Sequence, residues 1–369
     1  MEYKFKKIKD IIKSYKKDDI ISACDILNLD YKKSWKKEAL MAALEEGLVK
    51  YPTELYYVLS HDELVVLEKM FKNMGSFIVK DTRIEVGSSY REIEAFNTLC
   101  DLCLIDSAVE NIDEEGAMVG YVSEEFANVF SPFIDENRMS HATYLDETAA
   151  LIKGCLYYYG AMHIDELYDV VQKKLGGLDK KLFTRVLSYK YSLSDAFLPM
   201  YIGEEEYIVD RDFPVYFEIK EIYRWGKGMG YRNYSKEDLM AAADPLFIEN
   251  MKLFSPLYDY FKKFFIQDQE SLELFPEMPK DFFYDIYMAD TVDILRITPL
   301  SSEIIQDFLS NMEFRNNDEL EKGLNLLTGY YNNISRWENR GYTPSEVKSR
   351  KLEKSNVIPM KAYLGKKKN

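Results

Sequence analysis

The chain has 369 residues, is 47% hydrophobic and 14% aromatic, and carries a formal net charge of −15. That length suits two to four domains, and that apolar content excludes global disorder. No run approaches the ~20 apolar residues that span a bilayer. The nearest, AALIKGCLYYYGAM (residues 149–162), contains Lys153 and reads as a core helix. MEYKFKKIKD lacks the apolar centre of a secretory leader, and four cysteines in so long a chain fit a reducing compartment. The expectation is a cytoplasmic protein with no membrane partner.

Charge is segregated along the chain. Residues 1–40 hold 11 Lys/Arg against 7 Asp/Glu, net +4, and residues 335–369 hold 10 against 3, net +7, so the stretch between sums to −26. An acidic body repels nucleic acid at long range, while basic ends grip phosphate or serve as solvated tails.

Residues 1–57 read as a helix–extended–helix module. Ile20, Ile21, Cys24 and Leu27 repeat at helical spacing, as do Leu40, Ala43, Leu44 and Leu48, and the lysine-rich link DYKKSWKK separates them. This unit resembles the SAP and Rho-termination-factor N-terminal modules. The resemblance implies nucleic-acid binding, with Lys32, Lys33, Lys36 and Lys37 facing phosphate around Trp35. A small docking unit with Trp35 in its core is the other reading.

Residues 58–144 read as a winged-helix-like unit. HDELVVLEKMFKN is an amphipathic helix with Ser60 as N-cap and Glu63 three residues on. SFIVKDTRIEVG is extended or irregular, SYREIEAFNTLCDLCLI is helical, and DSAVENIDEEGAMVGYVS is a hairpin turning at DEEG. A clear middle helix is missing. Residues 145–225 repeat the order more cleanly. ETAALIKGCLYYYG and IDELYDVVQKKLGG are helices, the second stopped by Gly176-Gly177, and DKKLFTRVLSYKYSL is a third. AFLPMYIGEEEYIVD closes the unit as a hairpin around Gly203. Lys180, Lys181 and Arg185 on the third helix are the second set of groove-facing candidates. Residues 226–355 form a helical domain, and 356–369 a basic tail. The fold class is mainly α (α+β).

The stretch YYNNISRWENRGYTPSEV (330–347) carries an N-terminus signal. Thr343 is the cap, Pro344 the first helical residue, and Glu346 closes a capping box. Tyr330, Tyr331, Ile334 and Trp337 fall at helical spacing, so a helix ended by Gly341, with Trp337 locking the corner, is expected. The stretch resembles the YNN…W…G.TPxE segment of uncharacterised bacterial proteins that have a Rho-N-like start and end in a SEC-C zinc motif. The chain ends AYLGKKKN without the SEC-C cysteines, so zinc does not carry over. The stretch also resembles the tails of transposase integrase cores, but no run of alternating strands precedes it to carry their metal-binding acids.

Catalytic chemistry has no motif here. His61, His141 and His163 lie far apart without metal spacing. Cys100-x-x-Cys103 is a lone pair inside a predicted helix, read as core. GKGMGY (226–231) lacks the Lys-Ser/Thr ending of a phosphate loop, and the carboxylates of DRD (210–212) have no partner signal. The expectation is a non-enzymatic regulatory or nucleic-acid-associated protein, without cofactor or metal, whose partner is DNA or RNA. The alternative is a protein–protein scaffold that docks a basic partner.

Overall fold

The computed structural model describes residues 5–52, 55, 58–79, 88–112, 115–194, 197–211, 228–267 and 279–356. It is mainly helical, with two small three-stranded antiparallel sheets. The chain divides into two compact units, 1–150 with 168–197, and 151–167 with 198–369. No helix among the described residues is long and apolar enough to cross a membrane.

The first unit begins with α1 (Ile8–Ser14), α2 (Lys17–Ile26), α3 (Lys37–Lys50) and α4 (His61–Lys72). Then follow β1 (Ser76–Val79), α5 (Ser88–Asp101), β2 (Ile105–Ile112), β3 (Glu115–Val122) and α6 (Glu124–Phe130). The apolar stripes foreseen on α2 and α3 do point inward, but they do not close a core of their own. Ile20, Cys24, Leu40 and Leu44 share one cluster with Leu64, Leu67, Phe96 and Leu99. Residues on both sides of position 57 pack together. Ser60 N–H donates to Glu63 Oε2 at 2.7 Å, the expected box at the start of α4.

The predicted hairpin is β2–β3, paired from Ile105↔Val122 to Ile112↔Glu115, and β1 adds to β3 in the order β1-β3-β2. Residues 80–87, where a middle helix is missing from the sequence pattern, lie outside the described residues, as do Asp113 and Glu114 of the turn.

Helix α7 (Glu136–Tyr159) starts about ten residues earlier than the apolar pattern suggests. Its first turns are polar on the outside, and Arg138 is buried there, donating to the carbonyls of Leu55 (3.1 Å) and Leu59 (2.9 Å). Strand β4 (Ala161–His163) was not foreseen. Three residues are too short to show a period of two. Helices α8 (Ile164–Leu175) and α9 (Lys180–Ser194) and strands β5 (Phe197–Ile202) and β6 (Glu205–Asp210) form as expected, with Gly203 turning the hairpin at φ +66. The second sheet runs β4-β6-β5. The expected unit 145–225 is thus shared between both compact units, and its residues 212–227 lie outside the described residues.

The second unit adds α10 (Lys236–Ala242), α11 (Met251–Phe261), α12 (Lys280–Ile297), α13 (Ser302–Leu309), α14 (Asn317–Tyr331) and α15 (Pro344–Asn356). Phe254, Leu257, Phe261, Tyr284, Leu295 and Tyr330 build its helical core. Ala161, Tyr207, Val209, Ile297 and Trp337 build a smaller one over the sheet.

Candidate functional site

Two places carry the residues singled out by sequence. The first is the connector between α2 and α3. Asn28, at φ +51, ends α2 in the left-handed conformation, and Leu29 N–H returns to Cys24 O at 2.9 Å, the Schellman closure. Trp35 N–H then donates to Lys32 O at 2.8 Å, so the link turns rather than running straight. Trp35 is half-buried against the core, which holds the loop in place.

The four lysines are not equivalent. Lys33 Nζ lies 3.5 Å from Asp25, and Lys37 Nζ donates to Lys13 O at 2.8 Å. Lys32, Lys33 and Lys36 are exposed around Trp35, and Lys37 is half-buried. On α9, Phe183, Val186 and Leu187 are buried, Lys181 is exposed and Arg185 is half-buried. Lys180 extends over the Tyr168 ring at 5.9 Å. Helix α9 runs beside α2 within the first unit. The side chain of Lys190 is outside the described residues.

The second place is residues 330–347. Helix α14 stops at Tyr331, not at Gly341, and Trp337 sits in a short 3-10 turn, Trp337–Asn339. Helical spacing alone misplaced this end. Tyr330, Ile334 and Trp337 are all buried, yet the backbone leaves the helix between them. Trp337 is 1% exposed, and its Nε1–H donates to Tyr157 O at 2.9 Å. A Cβ on Gly160, which has φ +72, would stand 2.3 Å from the indole, so the ring lies flat on glycine backbone. Thr343 caps α15 as read from sequence. Its N–H donates to Glu346 Oε2 (2.8 Å) and its Oγ1 accepts from Glu346 N–H (3.2 Å).

Sequence reasoning missed the charged residues around this corner. Helix C-termini leave carbonyls without partners, and here buried side chains supply them. Arg336 Nη1 donates to Leu295 O (3.0 Å) and Thr298 O (2.6 Å) at the end of α12. Burial pulls its guanidinium down from the ordinary value, and Glu338 at 3.1 Å opposes that. Arg296 stacks on the Tyr157 ring at 3.8 Å and donates to Tyr157 O at 3.2 Å, beside the indole N–H. Cations are favoured at helix C-termini by the dipole. Nothing in a linear pattern distinguishes these arginines from surface ones.

Glu249 completes the node, accepting from Ser335 N–H (2.9 Å) and Ser335 Oγ–H (2.6 Å). Burial raises its pKa, and the Ser335 bonds, Arg232 and Arg296 hold it back. A carboxyl whose folded pKa exceeds its unfolded one adds stability at low pH that is lost as pH rises towards the folded value. Glu249→Gln keeps an acceptor for Ser335 without the charge. We expect its melting temperature to exceed the parent's at pH 7 and to converge with it near pH 4, followed by circular dichroism. A lower melt at pH 7 with no convergence contradicts this.

Neither place assembles a reacting group. The Cys100–Cys103 pair straddles the end of α5 instead of lying inside it. Cys103 takes the left-handed position (φ +54), and Leu104 N–H closes to Leu99 O at 3.0 Å. Burial pushes the Cys100 thiol up to about 11 and raises Cys103 further, so neither supplies a thiolate at neutral pH. His163 Nδ1 accepts from Asp165 N–H at 3.3 Å, and burial, then Arg138, lowers the pKa of His141. Among the described residues no group of three His, Cys, Asp or Glu is placed to hold a metal. No protein-family model, curated protein or solved structure matches the chain.

Proposed function

We propose that the protein is a non-enzymatic, nucleic-acid-associated factor whose contacts are confined to its basic ends. The observation that carries this is the connector after α2. Lys32 and Lys36 are exposed on a turn that Trp35 fixes to the core, in a segment of net +4 within a chain of −15. Lys32 and Lys36 lead the footprint, since Lys33 lies beside Asp25 and Lys37 donates to Lys13 O. Strand orders β1-β3-β2 and β4-β6-β5, each with helices preceding its hairpin, support a winged-helix reading of residues 58–144 and 145–225.

Few phosphate contacts mean weak binding with a shallow salt dependence, about 0.7–0.9 in the log–log slope per contact. Lys32→Gln/Lys36→Gln is expected to weaken binding of a labelled oligonucleotide and flatten the salt slope by about 1.4–1.8. Lys33→Gln/Lys37→Gln should change both less, as read by fluorescence anisotropy. Equal loss from the two pairs would show that the connector's geometry does not select contacts.

A second reading is favoured by the same ion pairs. Lysines tied to Asp25 and to a carbonyl, in a chain whose residues 41–334 sum to −26, suit a scaffold for a basic protein partner. Absence of oligonucleotide binding at about 50 mM salt, where few-contact complexes are strongest, would put the scaffold first.

A further inference from the structure

The first sheet leaves one edge open. Val122 N–H donates to Gly75 O at 2.9 Å, on the β1 side, so Val122 turns its backbone away from β2. Its ladder partner is Ile105. Ile105 therefore turns its own N–H and C=O outward, and Tyr15 Oη–H donates to that carbonyl. Antiparallel ladders alternate, so Ser107, Val109 and Asn111 also face outward with their backbone groups. Among the described residues no backbone group bonds to these three from that side.

Proteins blunt open edges with short strands, proline or lysine. Strand β1 has four residues, β4 has three, and β5 contains Pro199. Outer strand β2 has none of these devices. It runs for eight residues without Pro, Gly or Lys, and Val109 stands on it 77% exposed.

The edge also has a sign. Strands β2 and β3 carry Asp106, Glu110 and Glu115 and no Lys or Arg. Asp106 is taken by Lys6 and Ser14. Glu110 accepts from Tyr121 Oη–H, a neutral donor that leaves the carboxylate its charge. A second copy would bring the same carboxylate and no cation to the seam, and like charges across a ladder are unfavourable.

We propose that β2 receives an extended, basic segment of a protein partner, which joins the sheet as a fourth strand along residues 107–111. Backbone groups supply the affinity and alternate side chains the selectivity. An apolar residue would lie against Val109, with Lys or Arg on either side of it, on the face that Glu110 shares. This goes beyond the nucleic-acid reading and is independent of it; it gives the scaffold alternative a site and a chemistry.

The test uses the full chain and fluorescein-labelled peptides KVKVKVK, EVEVEVE and KVKPKVK at about 150 mM salt, which screens plain charge attraction. The third peptide keeps the charge of the first and breaks the strand. KVKVKVK should bind about tenfold or more tighter than either of the others. In its complex the amides of Ser107, Val109 and Asn111 should gain protection from hydrogen exchange, read by NMR, while those of Ala108 and Glu110 stay as they were. Val109→Lys, at an exposed position, should weaken binding about tenfold with an unchanged melt. Val109→Pro, which removes an outward N–H, should weaken it as much. Equal affinity for KVKPKVK, or protection that spares the three amides, overturns the edge as the site. A parent that is dimeric, and becomes monomeric as Val109→Lys, overturns the basic partner in favour of a second copy. A parent that binds none of the peptides overturns the proposal and leaves the connector reading standing.

Discussion

Trp337→Ala will destabilise the second unit by about 3–5 kcal/mol, the usual cost of emptying a buried large aromatic site. Trp337 is 1% exposed among Ala161, Tyr207, Val209 and Ile297. Alanine also removes the N–H that Tyr157 O accepts, leaving that carbonyl to Arg296. Collapse onto the space is hindered because Gly160 backbone, not a mobile side chain, forms one wall. Thr343→Ala removes one capping hydroxyl and should cost about 0.5–2 kcal/mol. Thermal melts of the two variants should therefore rank clearly. A variant with Trp35 and Trp225 replaced by Phe isolates the third indole, and its fluorescence should resist acrylamide. A Trp337→Ala melt equal to the parent's, with free quenching, would mean that the indole is exposed and serves a ligand.

Gly154→Ala should be the most damaging single-methyl change. On helix propensity alone the substitution stabilises by about 0.8–1 kcal/mol. Here a Cβ would stand 1.9 Å from Leu239 O and 2.7 Å from its carbonyl carbon. Backbone cannot rotate out of the way as a side chain does, so α7 and the start of α10 must separate. Overpacking of this kind costs about 1–3 kcal/mol or more, and the sign reverses. Gly329→Ala is the internal control. It lies within α14, nothing stands within 4 Å of its Cβ direction, and it should gain stability by up to about 1 kcal/mol. Denaturant melts in which both variants move the same way would refute the close approach.

Sequence patterns reached those elements whose signal is local. The Ser60–Glu63 and Thr343–Glu346 boxes, the Gly203 hairpin turn and the helices α8 and α9 announce themselves within a few residues, because caps and turns are satisfied by near neighbours. Partners distant in sequence stayed hidden. Trp337 was legible as a packing residue, but Tyr157 and Gly160, 180 and 177 positions away, were not legible as its seat. The neighbours of two connector lysines were hidden in the same way: Lys13 O lies beside Lys37 and Asp25 beside Lys33. The end of α14 was misplaced because buried positions at helical spacing persist beyond the helix itself. The arginines on α12 and after α14 carried no signal at all, since burial of a cation depends on carbonyls supplied by other elements.

The interleaving of the two units has a consequence for synthesis. Residues 168–197 belong with 1–150, yet residues 151–167 belong with the later part of the chain. A nascent chain that has just released residue 150 holds an incomplete first unit, and it waits about 50 residues for the missing piece, several seconds at ~5–20 residues per second. During that wait the C-terminal half of α7 and β4 emerge without the partners they will join, and β4 presents an unpaired strand until β6 arrives. No single cut yields either unit free of residues of the other. Cleavage between residues 151 and 197 divides both, whereas a cut beyond 211, past β6, spares the first entirely.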